Sequence, residues 1–392
     1  MDDLRPVHDV RLPAALVRAL SLPGERCAAR PRADVVLAAA RDRALGGPRA
    51  AAGYQARATA VPPARGAAPA LAVLRSRARR ARGSQERPDR LASSPMSGAP
   101  GADALSVKDS LVAIIEDTGF RAHGLHVRAG DGTAEHRWAP DVREDIQSVA
   151  KGVCVLAVAL AADDGVVSLD EPVAHLLPDH ELGPGVDRVT LRHLLSMSSG
   201  IDLPWSPTLL TDWPDLAAEF LRRPSRGRVF QYSNASTYTA MAALAARLGD
   251  VGDYLDDRLL GPLGIHGARW TRCPHGRIEA GGGLALRTEE MARIGRLIRD
   301  RGAWEGRRLV SPEHIDAMHG DGVVAGVNPG YDRYALAGWG GPGRAWRLHG
   351  AYGQLMIFLD DAVVTISADD HAGADALASS VVEVLEAARL GS

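Results

Sequence analysis

Two residues with the chemistry of a nucleophile and a base stand three positions apart in the chain. Ser148 and Lys151 lie in the segment DIQSVAKGVCVLAVAL, which predicts a strongly apolar helix opening at Asp145. A spacing of three puts both side chains on one face of the first turn. The serine would lie at the positive end of the helix dipole, beside backbone N–H groups. Apolar neighbours such as Cys154 would bury the lysine and favour the neutral amine, which can accept the serine proton.

The use of lysine in this chain strengthens that interpretation. Of the 46 Lys and Arg residues only Lys108 and Lys151 are lysines. Arginine cannot lose its proton in a protein, so it cannot replace a lysine that acts as a base. Chance alone would give about 0.1 occurrences of Ser-x-x-Lys in this composition. The structural alternative is a lysine at a helix end that extends its charge into solvent.

A second candidate is the tripeptide Tyr232-Ser233-Asn234, which contains one of only two asparagines in the chain. A phenol can transfer protons beside a lysine, and an amide can bind a substrate carbonyl. The alternative is structural, because Ser and Asn are good N-caps for the apolar helix predicted at Tyr238–Leu248.

A third candidate is the glycine-containing segment Arg347–Gln354, directly before a predicted strand. Glycine beside a strand edge lets a ligand approach the backbone. A backbone N–H here and that of Ser148 could form an oxyanion hole. Taken alone, the segment is equally typical of an ordinary turn.

The elements that must position these residues follow a regular pattern from about Leu105 onwards. A helix and a strand come first, a stretch rich in helices spans roughly 148–300, and a strand hairpin and a last helix end the chain. The predicted elements are a helix at Leu105–Asp117 ending at Gly119, strands at Gly124–Ala129, Gln354–Leu359 and Ala362–Ala368, and a helix at Ala374–Leu390. This order predicts an α+β fold, with an antiparallel sheet flanked by the N- and C-terminal helices plus a mostly helical lobe.

Composition divides the 392 residues into two parts. Residues 1–95 carry 18 arginines and eight acidic residues, whereas residues 96–392 are acidic, and the total net charge is −2. We expect 1–95 to be a disordered leader or an over-extended start before Met96, and 96–392 to be the catalytic domain. The basic run Arg75–Arg82 lacks interleaved aromatics, so a solvated tail is favoured over a nucleic-acid or membrane patch.

The cellular location and the need for a cofactor are predicted from targeting, membrane-spanning and metal-binding patterns that the sequence does not show. Neither Met1 nor Met96 is followed by a secretory signal pattern, and the longest apolar run, Gly152–Ala162, is too short to span a bilayer. The widely spaced Cys27, Cys154 and Cys273 form no metal motif. We therefore expect a cytoplasmic protein with no metal, no other cofactor, and neither nucleic acid nor membrane as partner.

Together the three segments resemble the penicillin-binding and serine β-lactamase superfamily, through its Ser-x-x-Lys and Tyr-x-Asn elements. The class C-like group is most similar, which includes esterases, D-aminopeptidases and 6-aminohexanoate-dimer hydrolase-like enzymes. The resemblance covers about 105–390. Further segments typical of the group are Asp164–Val173, Thr190–Gly200, Gly261–Ile265, Ala280–Leu286 and, for the 6-aminohexanoate-dimer hydrolase branch, Gly350–Gln354.

The resemblance implies a role for each matching residue. Ser148 would be the acylated nucleophile, Lys151 its base and Tyr232 the proton relay to the leaving group. Asn234 would orient Lys151 or contact substrate. These roles imply a serine hydrolase that cleaves a small ester or amide through an acyl-enzyme.

The third motif departs from the family pattern. The usual Lys/His-Thr/Gly-Gly triplet stands here as His349-Gly350-Ala351, with alanine at its last place. Ala351 and Tyr352 are therefore both candidates for the second oxyanion N–H. His349 would bind a substrate carboxylate or be an ordinary strand-edge histidine.

Other functions remain open at this stage. The alternatives are a β-lactamase or DD-peptidase activity, acyl transfer through the same acyl-enzyme, and a catalytically silent binding protein. Five tryptophans are candidates for an apolar acyl pocket, although a core position is favoured for each: Trp205, Trp213, Trp270, Trp339 and Trp346. The oligomeric state is left open.

Overall fold

A computed structural model describes residues 103–203, 215–328 and 331–390. These residues belong to one compact unit, Gly53–Ser392. The predicted leader at 1–95, together with Trp205 and Trp213, lies outside the described residues. None of the helices in the described part is both long and apolar enough to cross a bilayer.

The main sheet of the described part is antiparallel and contains strands from both ends of the domain. In chain order its strands are β1 (Ala122–Ala129), β2 (Gly132–Arg137), β8 (Val323–Asn328), β9 (Tyr331–Tyr334), β10 (Trp339–Gly340), β11 (Trp346–Gly350), β12 (Gln354–Leu359) and β13 (Ala362–Ala368). Across the sheet they lie in the order β2-β1-β13-β12-β11-β10-β9-β8. The first and last strands pair with each other, so the N- and C-terminal segments form one layer, as predicted.

Helices cover both faces of this sheet. The helices are α1 (Ala104–Thr118), α2 (Ala150–Asp163), α3 (Val173–Leu176), α4 (Leu191–Leu195), α5 (Leu216–Leu221), α6 (Asn234–Leu248), α7 (Val251–Leu255), α8 (Thr288–Arg299), α9 (Pro312–Asp316) and α10 (Ala374–Leu390). The α+β class is confirmed, and the hairpin β12–β13 and helix α10 have the predicted bounds.

The terminal helices α1 and α10 pack on one face of the sheet. Helix α1 begins at Asp103, whose carboxylate accepts the N–H groups of Leu105 and Ser106, and ends at Gly119 with φ +67°. That left-handed conformation suits glycine and terminates the helix where the sequence predicted. The buried apolar side chains on this face include Leu125, Val127, Leu355, Ile357, Val364 and Ile366.

The opposite face of the sheet packs against α2 and α8. Leu348 of β11 lies so close to Gly152 of α2 that a Cβ on this glycine would come within 2.5 Å of the leucine. Gly295 similarly lets α8 approach Val363 and Thr365 of β13. Helix α2 is buried on almost every side, which explains why it is apolar all round rather than amphipathic.

The stretch 148–300 forms a mostly helical lobe, with one addition that the sequence did not indicate. Strands β3 (Glu144–Asp145), β4 (Arg269–Trp270) and β5 (Leu284–Leu286) form a second sheet in the order β3-β5-β4. The middle of the chain is therefore mostly helical, as predicted, but not helical throughout. A third, two-stranded sheet joins β6 (Ala303–Trp304) to β7 (Arg307–Arg308).

Candidate active site

Ser148 lies in a single 3-10 turn, Gln147–Val149, directly before α2. The prediction that the helix opens at Asp145 is wrong, because Asp145 ends β3 and α2 begins two residues after the serine. The Asp145 carboxylate accepts the N–H of Gln147 at 2.8 Å and the N–H of Gly283 at 2.9 Å. It thereby fixes the serine turn to the glycine segment that leads into β5.

Lys151 is the nearest basic group to the serine in the described part. Its Nζ lies 2.8 Å from Ser148 Oγ and donates a hydrogen bond to the Gly281 carbonyl at 2.5 Å. Only 1% of Lys151 is exposed, so the alternative of a lysine that extends into solvent is excluded. Ser148 Oγ also lies 3.3 Å from the Gly281 carbonyl oxygen.

Gly281 is a site residue to which the sequence reasoning gave no role. A Cβ on Gly281 would come within 2.6 Å of Asn234 Cγ, so the asparagine side chain lies directly against this backbone. The Asn234 side chain therefore packs against the residue whose carbonyl binds Lys151. The sequence feature that could have indicated this role is the run of glycines 281–283, which belongs to the family-typical segment Ala280–Leu286.

Tyr232 lies on the other side of the lysine. Its ring centroid is 5.0 Å from Lys151 Nζ. Side-chain capping does not account for Tyr232-Ser233-Asn234, because Ser233 occupies the N-cap position without a capping hydrogen bond. Asn234 itself is the first residue of α6, which begins four residues earlier than predicted.

The backbone of the third motif lies against the turn that contains Ser148. Residues predicted as a glycine-rich turn form strand β11, and a 3-10 turn, Ala351–Gly353, follows it. Gly350 lies against the serine turn, since a Cβ on it would be 2.7 Å from the carbonyl oxygen of Ile146. The Tyr352 N–H donates to Nδ1 of His371 at 3.3 Å.

His349 points away from this assembly. Its strand partner Leu355 packs on the α1/α10 face, whereas the neighbouring Leu348 packs on the α2 face. The His349 ring nitrogen Nδ1 lies 3.8 Å from a carboxylate oxygen of Asp375 in α10. Burial, reinforced by the Arg347 guanidinium, lowers the pKa of His349 to about 3, against the opposing charge of Asp375. This favours the interpretation as a strand-edge histidine over carboxylate binding.

Three non-glycine residues around the site have a left-handed backbone conformation. Gln147, Ala280 and Tyr352 have φ values of +53°, +62° and +61°, although none is glycine. Met197, with φ +54°, accepts the N–H of Gln231 through its carbonyl oxygen. Such conformations cost about 1–3 kcal/mol each and persist where the surrounding structure holds them for a function.

An aromatic cluster borders the site at Tyr232. The Trp339 ring stacks on the Tyr232 ring with centroids 6.0 Å apart, and Tyr334 contacts Trp339 edge-on at 4.8 Å. Of the other candidate tryptophans that are described, Trp346 is a core residue and Trp270 packs partly buried against the core.

Cys154 lies one turn after Lys151 but is a poor competitor for the serine. Burial raises the pKa of its thiol to about 12, although the nearby lysine acts in the opposite direction. Within the described ranges, no group of three or more His, Cys, Asp or Glu side chains is placed to hold a metal ion.

A cavity of about 1130 Å³ lies elsewhere in the described part, around Trp346. Of the residues singled out from the sequence, the tryptophan candidate Trp346 lines it, whereas Ser148, Lys151, Tyr232 and Asn234 do not. Two arginines in its wall, Arg301 and Arg344, already form ion pairs with Asp316 and Asp360. The cavity is therefore separate from the pair of Ser148 and Lys151.

The fold defines the class of protein. An antiparallel sheet between terminal helices, with a helical lobe inserted beside it, is the α+β architecture of β-lactamase/transpeptidase-like proteins. The chain belongs to the β-lactamase family, whose model matches residues 98–368. Among curated protein sequences, none matches the chain.

Solved structures share this fold at low sequence identity. A protein from Bacillus anthracis, provisionally named a 6-aminohexanoate-dimer hydrolase, is 17% identical with a TM-score of 0.56, over 71% of this chain and 80% of that one. A class C β-lactamase from Rhodobacter sphaeroides is 16% identical with a TM-score of 0.57, over 73% and 99%. A D-stereospecific amidohydrolase from Streptomyces is 17% identical with a TM-score of 0.52, over 72% and 98%.

Proposed function

We propose that this protein is a serine hydrolase that cleaves a small ester or amide through an acyl-enzyme on Ser148. The observation that carries the proposal is the 2.8 Å distance between Ser148 Oγ and the buried Lys151 Nζ. An activated serine needs a base within hydrogen-bonding reach and a third group that orients the base. The Gly281 carbonyl, 2.5 Å from the amine, is that third group.

In the first step the neutral amine of Lys151 takes the Ser148 proton as Oγ attacks the substrate carbonyl. The carbonyl oxygen then becomes an oxyanion that needs two N–H donors. One is the N–H of Ser148 itself, at the start of a helical segment where backbone N–H groups lack intrahelical partners. The second is assigned to Ala351, because the neighbouring Tyr352 N–H already donates to His371.

The leaving group departs with a proton delivered through Tyr232, whose ring lies beside Lys151. Lys151 then takes a proton from water, directly or through Tyr232, as the water attacks the acyl carbonyl, and this proton passes to Ser148 Oγ as the acid product leaves. The pair acts as acid in one half of the reaction and as base in the other. Asn234 keeps the Gly281 carbonyl in place and thereby positions the lysine.

Three alternatives to hydrolysis of a small ester or amide use the same fold or the same residues. β-Lactamase or DD-peptidase activity and acyl transfer both proceed through an acyl-enzyme and differ in the substrate or the acceptor. A silent binding protein would gain nothing from a lysine that is 1% exposed beside a serine, since burying an amine costs free energy. Hydrolysis is favoured because it needs only water as acceptor. We propose that the protein acts in the cytoplasm on a small molecule, without metal or other cofactor.

Hydrolysis of p-nitrophenyl butyrate tests the proposal. We expect turnover by the wild type and a loss of about 10³-fold or more in kcat/KM for Ser148→Ala and for Lys151→Arg. A fluorophosphonate probe should add its mass to the wild type at Ser148. Equal rates in the three proteins would exclude the mechanism, and an unlabelled Ser148 would favour the silent binding protein.

A further inference from the structure

We infer that the site selects uncharged substrates with an apolar or aromatic group and discriminates against substrates that carry a carboxylate. This inference rests on the proposed function and adds the substrate class to it. Two independent features of the described residues carry it: an aromatic surface beside the lysine, and cationic side chains that are turned away from the serine.

The aromatic surface consists of Phe230, Tyr232, Tyr334 and Trp339. Tyr232 contacts Lys151 Nζ through its ring, and Trp339 stacks on Tyr232 at an interplanar angle of 25°. Phe230 closes the group, with its ring centroid 5.9 Å from that of Trp339. Phe230, Tyr232 and Trp339 are only partly buried, so part of each ring is exposed to solvent. Aromatic side chains offer a large apolar contact area that favours apolar and aromatic groups.

The basic side chains of β11, Arg347 and His349, lie on the face of the sheet that packs against α10. Arg347 is 1% exposed, and its Nη2 donates to Asp375 Oδ1 at 2.5 Å. Its guanidinium also stacks on the Tyr331 ring, 3.7 Å from the centroid. His349 is neutral at pH 7, because burial lowers its pKa to about 3. On the face toward α2, β11 presents the apolar side chains of Trp346 and Leu348 instead.

Lys151 is the one basic side chain that the described part brings within hydrogen-bonding distance of Ser148, and its amine is committed to the serine as a base. Its amine is already bound to the Ser148 hydroxyl and the Gly281 carbonyl. A substrate carboxylate placed against these aromatic rings would lose part of its hydration, and neither Arg347 nor His349 is turned toward it, because both face Asp375. Burying an unpaired charge is much costlier than burying an uncharged group of similar size.

Two esters of matched size test the inference: p-nitrophenyl 4-methylphenylacetate, which is uncharged, and p-nitrophenyl 4-carboxyphenylacetate, which is an anion. After subtraction of the uncatalysed rates, we expect kcat/KM for the uncharged ester to be at least about tenfold higher in the wild type. The ratio of the two values within one protein does not depend on how much of that protein is folded.

Trp339→Lys introduces a cation into the aromatic surface and should lower this ratio by about tenfold or more, whereas Trp339→Phe should keep most of it. Phe230→Lys is a second charge-introducing variant should Trp339→Lys not fold. A wild-type ratio of one or below, or a ratio unchanged in both lysine variants, would overturn the inference while leaving Ser148-dependent hydrolysis intact. Absence of any Ser148-dependent hydrolysis would instead overturn the proposed function and the inference with it.

Discussion

The Lys151 amine and the Gly281 carbonyl are joined by a 2.5 Å hydrogen bond across 130 residues of sequence. This bond connects helix α2 to the glycine segment before β5. The same carbonyl lies 3.3 Å from Ser148 Oγ, so one backbone oxygen contacts both members of the pair. The position of that oxygen therefore controls how the amine faces the serine.

Gly281→Ala should displace this carbonyl and lower kcat/KM for p-nitrophenyl butyrate by about 10–100-fold, because misplacing a catalytic group by about an ångström is that costly. The new methyl group would lie 2.6–2.7 Å from the Asn234 side chain, closer than any real contact. Gly282→Ala is the matched control, since its Cβ has no neighbour nearer than 3.6 Å. Equal activity in the two variants would show that the carbonyl does not position Lys151.

Gly350→Ala tests the approach of β11 to the serine turn. Its Cβ would meet the Ile146 carbonyl oxygen at 2.7 Å, and the Cβ atoms of Gln147 and Gln354, each at 3.0 Å, leave little room to adjust. We expect kcat for p-nitrophenyl butyrate to fall by about tenfold or more, because the Ala351 N–H would move away from the oxyanion. Gly340→Ala in β10 is the control, because its nearest neighbour would be 3.7 Å away. Steady-state kinetics of the two variants at equal folded fraction decide the outcome.

The sequence predicted the elements whose signals are local. The two runs Gln354–Leu359 and Ala362–Ala368 were predicted as a hairpin from the Asp360–Asp361 pair between them, and Ala374–Leu390 from its helical spacing. The structure has the same bounds. Ser148 and Lys151 were found together because residues three apart must share a helical face.

What the sequence could not predict depends on contacts between distant segments. No local pattern places the Gly281 carbonyl against Lys151. The glycines at 350 and 353 made a turn an alternative for the segment that holds β11, and no local pattern indicates what Arg347 and His349 contact. Their actual partner, Asp375, lies in the last helix.

His371 is predicted to position the oxyanion hole without touching substrate. Its Nδ1 accepts the Tyr352 N–H and holds the strained turn that presents the Ala351 N–H. His371→Ala should lower kcat for p-nitrophenyl butyrate by about tenfold, with a smaller change in KM, because oxyanion donors act mainly in the transition state. His371→Asn should recover most of this loss, since its Oδ1 can accept the same N–H. If Asn and Ala behave alike, or if only the melting temperature changes, the residue has no positioning role.

His349, whose side chain is 19% exposed, should make the stability of the protein depend on pH. Its pKa is about 3 in the folded protein and about 6.5 in an unfolded chain, so the unfolded state binds the proton more tightly between these values. The stabilisation is therefore complete above about pH 6.5 and is lost as the pH falls toward 3. From pH 7 to pH 5 this residue should cost about 2 kcal/mol of unfolding free energy.

Urea unfolding at pH 7 and pH 5 measures this loss in the wild type, in His349→Asn and in the exposed-histidine control His275→Asn. The charged and titratable groups that face the ring, namely Arg347, His371 and Asp375, are the same in all three proteins. We expect His349→Asn to lose about 2 kcal/mol less than the wild type over this interval, and the control to lose as much as the wild type. The pH dependence, not the absolute stability, is the readout, because the substitution also changes packing. An identical loss in all three proteins would mean that His349 is solvated or protonated in the folded state, and the α10 face of β11 would then offer a cation after all.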